Sequence, residues 1–189
     1  MYVPERRHKM STNSNIISVA KKIIKSNKDR ENINGEIKVT DKVTGQPRWF
    51  FTDAHYVMEV AESTGLKAPN VNTLGDGGNS PSVLIDAVKT ALMGVANGTI
   101  CELPESFLDE VKTKRKEVYK YQKLIYAFEN GYSVNAEYLA MAVKATGSNK
   151  VWIPQNPNAF CVIRGEKASF YILPIHCVNL KVGFNVKDA

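Results

Sequence analysis

No stretch of this sequence approaches the roughly 20 consecutive apolar residues that a membrane span requires. The charged start Met-Tyr-Val-Pro-Glu-Arg-Arg-His-Lys is followed by no apolar segment of the kind a secretory signal needs. A membrane or exported protein is therefore not expected. Cysteine is scarce. Cys101, Cys161 and Cys177 are odd in number and lack zinc-type spacing, which argues for a reduced, cytoplasmic setting. The one glycine-rich stretch is not followed by Lys-Ser or Lys-Thr, so it is no Walker loop. No strand precedes it, so the dinucleotide fingerprint lacks its context. No acid–base pair, triad or metal cluster stands out, and no catalytic residue, metal or cofactor is assigned.

What is present is ordinary for a globular chain of 189 residues: 43% hydrophobic and 23% charged, enough for one good core. The net charge of +6 is unevenly spread. Residues 1–35 hold eight bases against three acids, and the rest of the chain holds 17 against 16. Arg6, Arg7 and Lys9 lie on an expected arm at residues 1–13, in which Met10-Ser11-Thr12 reads as a second start. Lys21, Lys22 and Lys25, with Lys28 just beyond, line a helix expected over residues 15–26, capped by Ser14 and packed through Ile16, Ala20, Ile23 and Ile24. Such a basic arm and helix suit nucleic acid or an acidic protein surface; a solubilising tail is the plainer reading.

Residues 36–43 alternate, Thr44-Gly45-Gln46-Pro47 signals a turn, and Arg48-Trp49-Phe50-Phe51 answers as the second strand of a hairpin. Thr52 or Asp53 then caps an expected helix over residues 54–63 that carries His55, a lone histidine read as packed or solvated. A hairpin followed by a helix, with the aromatic pair Phe50-Phe51 before the cap, resembles the start of the Bro-N domains of phage and large-virus regulators over residues 37–66. That resemblance rests on the order of elements, with no diagnostic residue.

Gly75, Gly77, Gly78 and Ser80 form a candidate anion loop at the mouth of an apolar helix expected over residues 81–97. A flexible connection is the alternative, and Asp76 would repel an anion. With only Asp86 and Lys89 charged, this helix should be central and covered on most sides, with Asn97-Gly98 as a left-handed stop. A long helix is expected over residues 105–129. Its bare middle presents Lys112, Lys114, Arg115, Lys116 and Lys120 among Tyr119, Tyr121 and Tyr126, a pattern that grips phosphates and stacks on bases, or else an ordinary salt-bridged face. Residues 123–142 resemble a helix-turn-helix in which Ser133, Val134 and Asn135 begin a recognition helix; a plain helical hairpin is the alternative. The last forty residues carry strands at 150–153, 159–164, 168–173 and 176–186, with a type II′ turn at Gly165 and the pair Cys161 and His176 within reach across the sheet.

The expectation is an α+β fold: an antiparallel C-terminal sheet packed against a helical layer, with an N-terminal β-hairpin and a basic N-terminal arm, residues 14–189 forming one compact domain. The leading function is a non-enzymatic nucleic-acid-binding or regulatory protein. The alternative is a protein-binding accessory, such as an inhibitor or assembly component of phage type, docked on an acidic partner. Third is a small enzyme whose pocket joins Cys161, His176 and Asp76. Homo-oligomerisation stays open, and no membrane partner is expected.

Overall fold

Cys161, Val162 and Ile163 are apolar without alternation, a pattern expected of a strand covered on both faces, and all three are fully buried. The computed structural model describes residues 12–70, 82–177 and 179–188. The candidate residues Arg6, Arg7, Lys9, Gly75, Gly77, Gly78 and Ser80 lie outside them. In chain order the elements are α1 (Thr12–Ser26), β1 (Ile37–Thr40), β2 (Pro47–Thr52), β3 (Tyr56–Val60), α2 (Ser82–Val95), β4 (Thr99–Glu102), α3 (Phe107–Glu117), β5 (Gln122–Ala127), β6 (Ser133–Asn135), α4 (Ala136–Thr146), β7 (Lys150–Ile153), β8 (Cys161–Arg164), β9 (Ala168–Ile172) and β10 (Gly183–Asp188). The fold is α+β. Seven strands form one antiparallel sheet in the order β1-β2-β3-β9-β8-β7-β4, and β10-β5-β6 form a small second sheet.

The large sheet separates two apolar clusters by its period of two. Phe51, Met58, Ile163 and Phe170 point to one face, where α1 supplies Ile16, Val19, Ala20 and Ile23, α3 supplies Phe107 and Val111, and α4 supplies Leu139 and Ala142. Phe50, Val57, Val162 and Tyr171 point to the other face, covered by Ile85, Val88 and Ala91 of α2. Helix α4 begins and ends as its residues dictate. Asn135 Oδ1 accepts the N–H groups of Glu137 at 2.8 Å and Tyr138 at 3.3 Å, and Gly147 closes the last turn at φ 69°.

Several elements depart from the sequence expectations. Residues 54–63 form no helix: Asp53 Oδ1 accepts His55 N–H at 2.9 Å and Tyr56 N–H at 3.3 Å, Ala54 takes φ 75°, and the chain reverses into β3. The cap that would start a helix is worth about 1 kcal/mol. As a strand between β2 and β9, the segment buries Tyr56, Met58, Val60 and Val57 on two faces at about 1.5–3 kcal/mol for a fully buried side chain, which outweighs the cap. With that helix goes the element order on which the Bro-N resemblance rests.

The helix expected over residues 105–129 stops at Glu117, where Val118 turns extended, and the chain continues as β5, the middle strand of the small sheet. There Leu124 and Ile125, successive residues pointing to opposite faces, are both fully buried. The helix-turn-helix is accordingly a β5–β6 hairpin leading into α4. Ser133 and Asn135 are buried within it, with Ser133 Oγ donating to Ile175 O at 2.6 Å and Asn135 capping α4, so neither side chain is free to reach a base edge. Helix α1 starts at Thr12 rather than after Ser14. Among the described residues helix α2 packs through Ile85, Val88 and Ala91 on the sheet, with Val83 50% and Met93 78% exposed. Of the strand expected over residues 176–186, residues 176, 177 and 179–182 lie outside β10.

Gly165 and Gly98 are glycines for a reason other than the turns expected of them. Neither has positive φ; a Cβ at Gly165 would strike the Thr146 carbonyl, and one at Gly98 the Ile153 carbonyl. Gly45, by contrast, sits at φ 70° with open space around it. Gly45→Ala should therefore cost about 1–2 kcal/mol of left-handed strain. Gly165→Ala should cost more, because backbone must move. Urea midpoints of the two variants check this, and equal losses would mean that β8, β9 and the end of α4 are not packed this closely.

Candidate nucleic-acid interface

Helices α1 and α3 flank α4 on one face of the large sheet. Between them runs a groove of about 850 Å³. Val19, Leu108, Val111, Ala140, Met141 and Val143 line it with apolar surface, and Lys22, Lys112, Arg115 and Lys144 bring positive charge to it together with the carboxylates of Glu105 and Glu137. Lys22 reaches this groove because it lies at the edge of α1's buried stripe, three residues beyond Val19. Lys112 and Arg115 share the flank of α3 that carries Leu108, at spacings of four and seven.

The lysines here are held loosely, whereas Arg115 also donates from Nη1 and Nη2 to the carbonyls of Gln122 and Lys120. Arg115 Nε lies 3.5 Å from Glu137, Lys112 Nζ lies 2.8 Å from Asp109, and Lys114 Nζ lies 3.6 Å from Glu117. Lys144 Nζ donates to Ser18 Oγ at 3.0 Å, tying α4 to α1. The exposed Lys112–Asp109 and Lys114–Glu117 pairs are worth about 0–1 kcal/mol, so those two ammonium groups can change partners at little cost. Lys21 and Lys25 are exposed on α1 and Lys28 in the turn after it, all outside the groove, and Lys116 and Lys120 are exposed at the end of α3 and in the turn beyond it. The structure thus brings Lys22, Lys112 and Arg115 together, leaves the other described lysines of the candidate set on neighbouring surface, and removes Ser133 and Asn135 from it.

Two features were missed in the sequence. Lys144 joins the groove only because α4 packs beside α1, and nothing local to residue 144 announces that. The second was visible in the residues but masked by averaging. Residues 112–123 contain six bases and one acid; removing them from the 17 and 16 of residues 36–189 leaves 11 bases against 15 acids. The body of the protein is acidic around a basic segment, rather than neutral behind a basic arm.

Elsewhere, a cleft of about 690 Å³ is lined by Ser133, Pro174, His176, Cys177 and Lys187 among others. Cys161 does not line it. That thiol is fully buried in β8, and burial pushes it up to about 12, whereas His176 is exposed. The pair is not brought together, and Asp76 lies outside the described residues. Among the described residues no group of three His, Cys, Asp or Glu side chains could hold a metal, and no helix is long and apolar enough to cross a membrane.

No family model and no curated protein matches the chain. Among solved structures it is similar to the crystal structure of the Helicobacter pylori beta clamp in complex with 3,4-difluorobenzamide, at 14% sequence identity and a TM-score of 0.52, over 88% of this chain and 64% of that one. The chain spans 64% of the length of that clamp chain. At that identity the likeness is one of fold alone.

The burial of Cys161 has a direct chemical consequence. With its thiol at about 12, only about one part in ten thousand is thiolate at pH 8. A thiol reagent added to the folded protein should spare Cys161 while reaching the half-buried Cys101 and Cys177, and should modify it once urea unfolds the chain. Mass spectrometry of the labelled peptides reads the outcome. Rapid labelling of Cys161 in the native protein would show that β8 opens and would restore the thiol as a nucleophile.

Proposed function

We propose that the protein is a non-enzymatic nucleic-acid-binding or regulatory protein that grips the phosphate backbone with the helical layer of α1, α3 and α4. One observation carries this reading: Lys22 of α1, Lys112 and Arg115 of α3 and Lys144 of α4 converge on one groove, flanked by a helix with exposed lysines and no carboxylate within its span. Affinity of this kind comes from counterion release, needs no particular sequence, and tolerates the acidic remainder of the body, which orients the basic side toward the polyanion.

A second reading is favoured by the apolar lining of the same groove and by Val83 and Met93 bared on α2: an accessory protein that docks on an acidic protein partner. The two part company on the ligand alone.

The test is fluorescence anisotropy with labelled DNA and RNA across a salt series, using charge neutralisation rather than truncation, because α1 buries Ile16, Val19, Ala20 and Ile23. The variant Lys22→Ala/Lys112→Ala/Arg115→Ala should bind more weakly on every sequence. Its plot of log affinity against log salt should flatten by about two to three units, roughly one for each phosphate that is no longer neutralised. Absence of binding by the unaltered protein at about 50 mM salt overturns the nucleic-acid reading and leaves the acidic-protein one.

A further inference from the structure

We propose that the turn between α3 and β5 is a base-stacking shelf, and that the nucleic acid taken by this protein is single-stranded. The inference rests on the nucleic-acid reading above and narrows it. Tyr119 and Tyr121 are the first and third residues of the turn that leads from α3 into β5. Their rings lie parallel, 4° apart in plane with centroids 5.6 Å apart, and remain 67% and 64% exposed. Two stacked phenol rings are thus held in water at the surface, although every other aromatic pair described in the molecule involves at least one ring buried in, or packed against, the core.

The backbone beneath them is pinned from both sides. Gln122 N–H donates to Tyr119 O at 2.9 Å, and Tyr119 N–H donates to Gln122 Oε1 at 3.2 Å, closing a four-residue turn. Arg115 reaches across from α3, with Nη1 donating to Gln122 O at 3.1 Å and Nη2 to Lys120 O at 3.3 Å. The rings are therefore presented on a preformed turn, and a ligand has little ordering left to impose.

The chemistry around the shelf selects its occupant. Lys116, Lys120 and Lys123 are exposed and form no ion pair among the described residues. Flat apolar surface edged by unpaired ammonium groups matches a chain of flat rings on a phosphate backbone. Every base has a π-face, so such a shelf is tolerant of sequence. It does discriminate strandedness: in a duplex the base faces are already stacked on one another, and only an unpaired strand can lay them on the tyrosines. Arg115 belongs to both regions, since its Nε faces Glu137 at the groove while its Nη atoms pin the turn, so a strand gripped in the groove is delivered to the shelf. It acts here as a positioning residue.

The experiment measures anisotropy with an oligonucleotide of about 20 deoxythymidines and with a duplex of equal length, for the unaltered protein, Tyr119→Ala/Tyr121→Ala, Tyr119→Phe/Tyr121→Phe, and the groove variant Lys22→Ala/Lys112→Ala. Both tyrosines are mostly exposed, so the alanine variant should keep its thermal midpoint. The proposal requires the single strand to bind more tightly than the duplex, the alanine variant to lose about tenfold or more on the single strand, and the phenylalanine variant to retain affinity. Duplex affinity and the salt slope should be unchanged by the tyrosine substitutions, whereas the groove variant should weaken both ligands. Equal binding of strand and duplex, unaffected by Tyr119→Ala/Tyr121→Ala but weakened in the groove variant, overturns the shelf and keeps the nucleic-acid reading. No binding of either ligand at low salt overturns both.

Discussion

Five residue pairs between Tyr56–Val60 and Ala168–Ile172 join the N-terminal strands to the C-terminal ones. The rest of the architecture depends on this ladder. Through it β1 and β2 become part of the same sheet as β8, β7 and β4, and the face bearing Phe51 and Met58 becomes continuous with the face bearing Ile163 and Phe170. Two helices far apart in the chain, α1 and α4, can then lie side by side on one surface. The groove exists because a hydrogen-bonded ladder, with its backbone groups satisfied and its side chains buried on both faces, holds their supports in register.

That scaffold is reinforced where its edges meet loops. Glu36, buried at the start of β1, accepts hydrogen bonds from Ser63 Oγ at 2.7 Å, Thr64 N–H at 2.6 Å and Thr64 Oγ1 at 2.9 Å, tying the chain after β3 back to the sheet edge. On the second face Arg48 bonds Glu59 at 2.6 Å, and Glu59 accepts the Tyr171 hydroxyl at 3.2 Å, bracing β2, β3 and β9 together. The hydrogen bond to Glu59 raises the Arg48 guanidinium above its ordinary value. None of these groups lies in the basic groove. Charges in the groove can therefore be altered without breaking these braces.

The basic surface is itself a product of segregation. Most of the body is acidic, and the positive charge concentrates on α1 and on residues 112–123. Close like charges cost energy unless water or counterions screen them, and nearly all of these lysines are exposed. A polyanion that replaces those counterions gains the entropy of their release, which connects the placement of the lysines to the proposed activity.

Residues whose signals are local were legible in the sequence. The α+β class, α1, the β1–β2 hairpin, α2, and the apolar strands β7, β8 and β9 follow from periodicity and turn chemistry within a dozen residues. The charge of α1 and the mixture of lysine and tyrosine over residues 112–126 were equally plain. Three things were decided only by tertiary structure. Tyr56–Val60 and Gln122–Ala127 are short apolar runs that fit a helix or a strand, and partners distant in the chain made them strands. Gly165 and Gly98 owe their identity to carbonyls that packing brings against them. The meeting of Lys22, Lys112, Arg115 and Lys144 needed three helices on one face. Local free energies of about 1 kcal/mol, such as a cap or a propensity, choose among conformations only until long-range burial, at up to about 3 kcal/mol per side chain, decides otherwise.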